Sequence, residues 1–131
     1  MNSPLIKYNL LLAISDEHSI SVFTEFLEDF NYSLKILASF EDVYNEYKCK
    51  KYDLVILTSL GLDAGQIIKC IVKLKMYDPK IKLLIISNYD KESFIESLAA
   101  TGIDHIYELP LDFEYLHSGI QSLLHTPPIK K

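Results

Sequence analysis

The sequence predicts an α/β domain built on a five-stranded parallel β-sheet with helices on both faces. Segments typical of strands and of helices alternate five times along 131 residues, which is the pattern of repeated strand–helix units. Two strand-like segments, residues 54–57 and 83–86, are apolar at every position. Strands of this kind are covered by helices on both faces, as parallel strands usually are. The length fits one domain of about 100–200 residues.

The first half of the chain contains two strand–helix units. Residues 10–14 form the first strand-like run and residues 34–37 form the second. The helix after the first run is indicated by apolar side chains at helical spacing: Ile20, Phe23, Phe26, Leu27 and Phe30. Ser39 is a candidate N-cap of the next helix, since its hydroxyl can accept a bond from a free backbone N–H. The stripe of that helix is Phe40, Val43, Tyr44 and Tyr47.

The third unit begins with the run at 54–57 and continues through a loop, residues 59–65, that holds two of the four glycines. Apolar spacing predicts a helix over residues 67–74. We expect Pro79 to follow its end, because proline cannot continue a helix. The solvent-facing side of this helix is predicted to carry Lys69, Lys73 and Lys75.

The last two units follow the run at 83–86. A helix is predicted over residues 94–99, and Gly102 is suited to end it, because glycine tolerates the left-handed conformation common after helices. Residues 103–107 are predicted to form the short fifth strand. Asp112 can cap the final helix, which extends to Leu124.

Composition excludes several classes of function. The chain has 13 basic and 18 acidic residues, for a net charge of −5, and a nucleic-acid surface would require an excess of basic groups. No apolar run approaches the roughly 20 residues of a membrane helix, and residues 1–8 do not resemble a secretory signal. A cytoplasmic location is therefore expected. We assign residues 1–125 to the domain and residues 126–131 to a flexible tail or linker stub.

The expected topology places a site at one edge of the sheet. Right-handed crossovers and five strands favour the order 2-1-3-4-5, in which the chain reverses direction between strands 1 and 3. Ligands of such folds bind at the carboxyl ends of the strands, next to this switch point. The residues there are Ser15, Asp16, Glu17 and Thr58.

Several local strings resemble response-regulator receiver domains (CheY-like), the phosphoacceptor modules of two-component signalling. Residues 52–57 resemble the family's lead-in to its phosphorylated aspartate, and residues 84–87 resemble its strand ending in Thr or Ser. Residues 102–105 resemble the family's Gly-Ala-Asp-Asp string, and Pro110 matches the proline after its lysine. The resemblance covers residues 8–125 and implies the flavodoxin-like topology of the receiver.

The chemistry residues depart from that family. The resemblance places its phosphorylation site on Ser15, Asp16, Thr58, Ser87 and Leu109. Thr58 stands in place of the phosphoacceptor aspartate, Leu109 in place of the active-site lysine, and Ser15 in place of one carboxylate of the acidic pair. The retained groups are the carboxylate of Asp16 and the hydroxyl of Ser87.

These replacements predict a degenerate pseudo-receiver that is not an enzyme and has no cofactor. Phosphoryl transfer needs a nucleophile and positive charge to neutralise the developing negative charge. A threonine hydroxyl is protonated at neutral pH and needs an activating base. Asp16, with or without Glu17, is expected to hold Mg²⁺ only weakly, since the ion is usually bound by carboxylates together with phosphate and water.

The remaining hypothesis concerns partners, and we expect a protein partner or self-association rather than nucleic acid or membrane. The resemblance places the family's output face on helix 4, strand 5 and helix 5, with its aromatic switch position at Ile106. Tyr89, Tyr107 and Tyr115 fall in that region, and tyrosines are common at interfaces. Two alternatives are a receiver phosphorylated with Mg²⁺ on Thr58, Asp16 or Asp63, and a small-molecule sensor that uses the vacated pocket.

Overall fold

The computed structural model describes residues 8–30, 32–87, 92–103, 105–108 and 111–125, with only the backbone described for residues 92–95. Leu109, Pro110, Tyr89 and the predicted tail at 126–131 lie outside the described residues. The elements are β1 (Asn9–Ala13), α1 (Glu17–Glu28), β2 (Ser33–Leu37), α2 (Phe40–Cys49), β3 (Leu54–Thr58), a 3₁₀ turn (Ala64–Gln66), α3 (Ile67–Tyr77), β4 (Leu83–Ser87), α4 (Glu92–Ala100), β5 (Ile106–Glu108) and α5 (Phe113–His125).

The predicted sheet is confirmed. Its five strands are parallel and lie in the order β2-β1-β3-β4-β5. Because neighbouring strands run in the same direction, Ala13, Thr58, Ser87 and Glu108 end their strands at the same edge of the sheet. This is the edge at which the sequence places the site.

Both faces of the sheet are covered, as the unbroken apolar runs predicted. Every residue of β3 and β4 is buried. On one face, Val55 and Leu57 pack with α2, α3 and Leu98 of α4. On the other face, Leu54 and Ile56 pack with α1 and α5. Alternate side chains of one strand thus contribute to two separate cores.

The predicted helix caps are confirmed. Ser39 Oγ accepts a bond from the N–H of Asp42 at 3.0 Å. Asp112 Oδ1 accepts from the N–H groups of Glu114 and Tyr115 at 3.0 and 3.2 Å. Gly102 follows α4 with φ +85°, the left-handed conformation that a side chain disfavours.

Two boundaries differ from the prediction. The fifth strand was predicted at residues 103–107, whereas β5 begins at Ile106. Ile103 is buried, but it packs in the core of the α3 face from the loop after α4 rather than from a strand. The first helix ends at Glu28 rather than continuing to Phe30, whose N–H bonds the carbonyl of Leu27 in a tighter turn. Apolar spacing alone could not distinguish these loop positions from regular structure.

A membrane-spanning helix was also sought. Within the part of the chain that the structure describes, no helix combines the length and the apolar character needed to cross a bilayer.

Candidate functional site

Thr58 ends β3 at the centre of the candidate site, and its side chain is completely buried. Its hydroxyl Oγ1 donates to the carbonyl oxygen of Ala13 at 2.8 Å and accepts from the N–H of Leu60 at 3.1 Å. One hydroxyl therefore links the end of β1, the end of β3 and the loop that follows β3. The hydroxyl is committed both as a donor and as an acceptor.

The loop after β3 packs directly on the loop after β1. The carbonyl oxygen of Leu60 accepts bonds from the N–H groups of Ser15 and Asp16, at 2.9 and 3.3 Å. Gly61 then turns with φ +77°. A Cβ atom on Gly61 would lie 2.6 Å from the nitrogen of Asp16 and 2.8 Å from the carbonyl carbon of Ser15. The switch point of the sheet is thus closed by backbone in contact with backbone.

Asp16 caps the helix that follows it, which orients its carboxylate. Its Oδ2 accepts from both the N–H of Ser19 at 3.0 Å and the Ser19 hydroxyl at 2.7 Å. The Ser19 hydroxyl is the largest influence, and with the Ser19 N–H it lowers the pKa of the exposed Asp16 carboxyl below 3.8. One oxygen of the carboxylate that the resemblance assigns to metal binding thus serves as the N-cap of α1.

The cap makes stability depend on pH in a defined way. The pKa of Asp16 is lower in the folded chain than in the unfolded chain. The ionised carboxylate therefore stabilises the fold above pH 3.8, and this stabilisation is lost as the pH falls through the lower pKa of the folded chain. We expect Asp16→Ala to lower the melting temperature by a few degrees at pH 7 and by less in acid. Glu28→Ala, at an exposed position of the same helix, is the control. Equal effects of the two variants across pH would contradict the capping role.

Two further hydroxyl groups, those of Ser59 and Ser87, lie at the carboxyl ends of β3 and β4. Both are buried, and the Ser59 hydroxyl donates to the Ser87 hydroxyl at 3.3 Å. The Ser59 N–H bonds the carbonyl of Ile86 at 3.0 Å. Apart from tyrosines and Cys70, the buried polar side chains among the described residues are these two serines and Thr58, and none of their side-chain oxygens lacks a hydrogen-bond partner. The interior of the site is polar but carries no described charge.

The structure brings together most of the predicted site residues. Ser15 and Asp16 meet Thr58 through Leu60, while Ser87 joins them through Ser59. Leu109 lies outside the described residues. Leu60 and Gly61 have functions in the site that residue type does not indicate: Leu60 acts through its backbone carbonyl, which carries no sequence signal. The only sequence feature that pointed to Gly61 was the presence of a glycine in the loop after β3.

Asp63, an alternative acceptor, is also a cap. It is exposed, and its Oδ1 accepts from the N–H of Gly65 at 2.9 Å, at the start of the 3₁₀ turn. Its carboxylate stabilises the loop before α3.

The residues assigned to the output face have different environments. Ile106 is half-buried and packs against the core on the α3 side. Tyr107 is 7% exposed and packs on α5, whereas Tyr115 is 67% exposed. The rings of the two tyrosines meet edge to face, with centroids 5.1 Å apart. A groove of about 370 Å³ lies beside them and is lined by His105, Ile106, Tyr107, Tyr115, Ser118 and Gly119.

Gly119 makes room for Tyr107. A Cβ atom on Gly119 would overlap the Tyr107 hydroxyl. Alanine should otherwise favour this helix position by about 0.5–1 kcal/mol, but the overlap is expected to cost about 1–3 kcal/mol. We expect Gly119→Ala to be destabilising and to move the Tyr107 ring outward. Denaturant unfolding should show the loss, and it should be smaller in a Tyr107→Phe background. A stabilising Gly119→Ala would contradict this packing.

Several solved receiver domains and response regulators share this architecture. A CheY-like response regulator receiver domain protein from Methanospirillum hungatei JF-1 matches with a TM-score of 0.82 over 91% of this chain and 94% of that chain, at 16% identity. A two-component response regulator from Clostridium difficile matches with a TM-score of 0.81 over 92% and 98%, at 19% identity.

A third structure is the receiver domain of the sensor histidine kinase PA1611 from Pseudomonas aeruginosa PAO1, which has a magnesium ion coordinated in its active site cleft. It matches with a TM-score of 0.80 over 92% of this chain and 100% of that chain, at 13% identity. No model of a protein family matches the sequence, and no curated protein matches it. These likenesses show that the chain has the receiver fold.

Proposed function

We propose that this chain is a receiver-like module of two-component (phosphorelay) signalling that acts in the cytoplasm through protein–protein contacts and is not phosphorylated by the aspartate mechanism. The observation that carries the proposal is the buried Thr58 hydroxyl, which bonds Ala13 and Leu60 at the end of the central strand. The receiver fold of the three solved structures supports the signalling class.

The bonding of Thr58 opposes its use as a nucleophile. A hydroxyl nucleophile must give its proton to a base as it attacks. The Thr58 hydroxyl donates to the carbonyl oxygen of Ala13, and a backbone carbonyl is not a base that can remove this proton at neutral pH. The side chain is also completely buried, so a phosphoryl donor cannot reach the hydroxyl in this conformation. The threonine is therefore a structural link between two strand ends.

The other two acceptors of the alternative hypothesis serve as caps. Asp16 caps α1 through Ser19, and Asp63 caps the 3₁₀ turn through Gly65, each with one carboxylate oxygen. Phosphorylation would remove the negative charge that strengthens each capping bond. This arrangement favours a module without phosphoryl transfer over a receiver with a substitute acceptor.

The donor set also supports a function without Mg²⁺. Among the described residues, no group of three or more His, Cys, Asp or Glu side chains could hold a metal ion. Mg²⁺ is usually bound by one or two carboxylates together with phosphate oxygens, and one of the two Asp16 oxygens, Oδ2, already accepts two bonds from Ser19. We therefore propose that the chain folds and functions without the ion.

The sensor alternative has less support than the interaction module. The groove beside β5 and α5 and a second groove at the ends of α2 and α3 are lined by residues other than Thr58 and Ser87. Thr58 is instead enclosed by the closed loops after β1 and β3. Among the described residues, the neighbours of Thr58 at this edge include the Ser59 and Ser87 hydroxyl groups and the backbone of Leu60, which favours the interaction module.

The partner surface proposed for this function is the groove between β5 and α5. Tyr115 is largely exposed there, and the buried ring of Tyr107 packs edge to face against the Tyr115 ring. An exposed aromatic ring beside a groove is suited to anchor a partner side chain. We expect Tyr115→Ala to weaken partner binding, while Tyr77→Ala, an exposed tyrosine on α3, leaves it unchanged.

A thermal melt with and without millimolar MgCl₂ tests the metal-free function. A ligand that binds only the folded state raises the melting temperature. Because we propose that the chain does not bind Mg²⁺, we expect the melting curves with and without MgCl₂ to superpose. CaCl₂ at the same concentration controls for ionic strength and charge. A rise of several degrees with MgCl₂, lost in Asp16→Asn, would contradict the proposal.

A further inference from the structure

One segment of this acidic chain, which includes α3, carries an excess of positive charge. Residues 67–82, which include α3, carry five lysines and one acidic residue. Residues 8–30 and 111–125, which include α1 and α5, carry seven acidic residues and no lysine. Since α3 packs on one face of the sheet and α1 and α5 pack on the other, the charge is separated across the molecule.

The outer surface of α3 combines these lysines with exposed apolar side chains. Val72 is 45% exposed and Met76 is 80% exposed, and they are neighbours because residues four apart share one side of a helix. Lys69 and Lys73 are exposed on the same side. We call these four residues the α3 patch. A mixed apolar and charged surface of this kind is typical of an interaction site.

A second observation places two ammonium groups around one aromatic ring next to the patch. The Nζ atoms of Lys48 and Lys73 lie 4.5 and 4.4 Å from the centre of the same Tyr44 ring. The ring attracts each ammonium group and holds both next to α2 and α3. A carboxylate placed beside them would be attracted by both charges, so the patch is suited to an acidic partner.

The outer surface of α1 has the complementary chemistry. Glu25, Glu28 and Asp29 are exposed there, and Val22 is 37% exposed beside them. We call these four residues the α1 patch. Each patch thus offers an apolar centre flanked by charge, acidic on α1 and basic on α3.

We propose that the α3 patch binds the α1 patch of a second copy of this chain. The two patches lie on opposite faces of the sheet, so each copy can bind one neighbour through each patch. Such a head-to-tail contact is heterologous and continues beyond a dimer unless it closes into a ring. This surface is distinct from the groove between β5 and α5, and the inference goes beyond the proposed signalling function.

A second copy fits the α3 patch better than a nucleic acid does. Val72 and Met76 need an apolar partner, which Val22 supplies and a phosphate backbone does not. The net charge of −5 repels a polyanion and a second copy alike at long range, but only the second copy offers carboxylates beside an apolar side chain. Two copies can orient so that only their opposite charges meet.

Sedimentation equilibrium of the full chain tests the contact. At about 10 mM salt, where the Debye length is about 30 Å, we expect the average mass to rise above 15.1 kDa as the concentration approaches millimolar. At about 1 M salt, where that length is about 3 Å, the mass should return to the monomer value. Wild-type protein that stays monomeric at low salt overturns the proposal, and so does binding of duplex DNA in place of self-association.

Charge reversal identifies the two surfaces. We expect Lys69→Glu/Lys73→Glu and Glu25→Lys/Glu28→Lys each to remove self-association, and a mixture of the two variants to restore it. Lys35→Glu/Lys80→Glu changes the net charge equally at other exposed positions and should retain association at least tenfold stronger than Lys69→Glu/Lys73→Glu.

Two further comparisons keep this result interpretable. Circular dichroism verifies that each variant is folded, and the neutral Lys69→Gln/Lys73→Gln serves if a reversal does not fold. Tyr115→Ala should leave self-association intact, which separates this contact from the proposed partner groove. Equal loss in the control variant, or a mixture that stays monomeric, overturns the assignment of the α1 and α3 patches.

Discussion

Thr58→Asp is expected to destabilise the fold without creating a phosphoacceptor. The new carboxylate would lie where the wild-type hydroxyl is completely buried and donates to the Ala13 carbonyl. An ionised carboxylate cannot donate, and its charge would face that carbonyl oxygen. Burying a charge without a partner costs roughly 3–5 kcal/mol, and denaturant unfolding at pH 7 would measure the loss.

The pH dependence of this variant gives a second readout. Burial raises the pKa of a carboxyl group, so the folded variant would hold its proton to a higher pH than the unfolded chain. Stability relative to wild type would then be greatest in acid, where the protonated carboxyl can donate to Ala13. We expect it to fall as the pH rises above about 4. A pH-independent difference would contradict the burial of this side chain.

Two matched variants separate the hydroxyl from the shape of Thr58. Thr58→Val keeps the shape and leaves the Ala13 carbonyl and the Leu60 N–H without their partner, which is expected to cost about 1–3 kcal/mol. Thr58→Ser keeps the hydroxyl and loses one methyl group, which is expected to cost about 1 kcal/mol. If valine were as stable as wild type, the link between the strand ends would have no energetic role.

Gly61→Ala is the second change with a large expected effect. The left-handed conformation at φ +77° disfavours any residue with a Cβ by about 1–2 kcal/mol. The added carbon would also meet the backbone of Ser15 and Asp16, and such overpacking costs about 1–3 kcal/mol. We expect a melting temperature lower by about 3–6 °C for each kcal/mol in a domain of this size.

Gly65→Ala is the matched control for Gly61. It lies in the same loop, does not have a positive φ, and its added Cβ would come no nearer than 3.3 Å, to a carboxylate oxygen of Asp63. We expect little change in its melting temperature. Similar losses in the two variants would show that the contact between the loops after β1 and β3 is not what holds this edge closed.

The fold could be predicted because local signals agreed along the chain. The apolar runs of β3 and β4 gave strands covered on both faces, and the structure buries all of their residues. Ser39 and Asp112 marked helix starts, since their side chains act within three residues of the chain. Features that depend on residues nearby in the chain can be predicted from the sequence. The start of β5 could not be predicted in this way, because it is set by pairing with β4.

The site could be predicted in position but not in its bonding. Parallel topology was enough to bring Asp16, Thr58 and Ser87 to one edge of the sheet. The bond from Thr58 to Ala13 spans 45 residues, and the role of Leu60 belongs to its backbone. The packing of Tyr107 on Gly119 likewise depends on how β5 meets α5. These contacts form only when distant parts of the chain come together in the folded structure, and the type of a single residue does not predict them.

The proposed absence of phosphoryl transfer is tested most directly by intact mass spectrometry after incubation with acetyl phosphate, with and without MgCl₂. A receiver domain that keeps its aspartate serves as the positive control. The structure predicts that this chain keeps its unmodified mass in both conditions, because the buried Thr58 hydroxyl is committed to Ala13 and Leu60. A Mg²⁺-dependent gain of one phosphoryl group, located at Thr58, Asp16 or Asp63, would contradict the account.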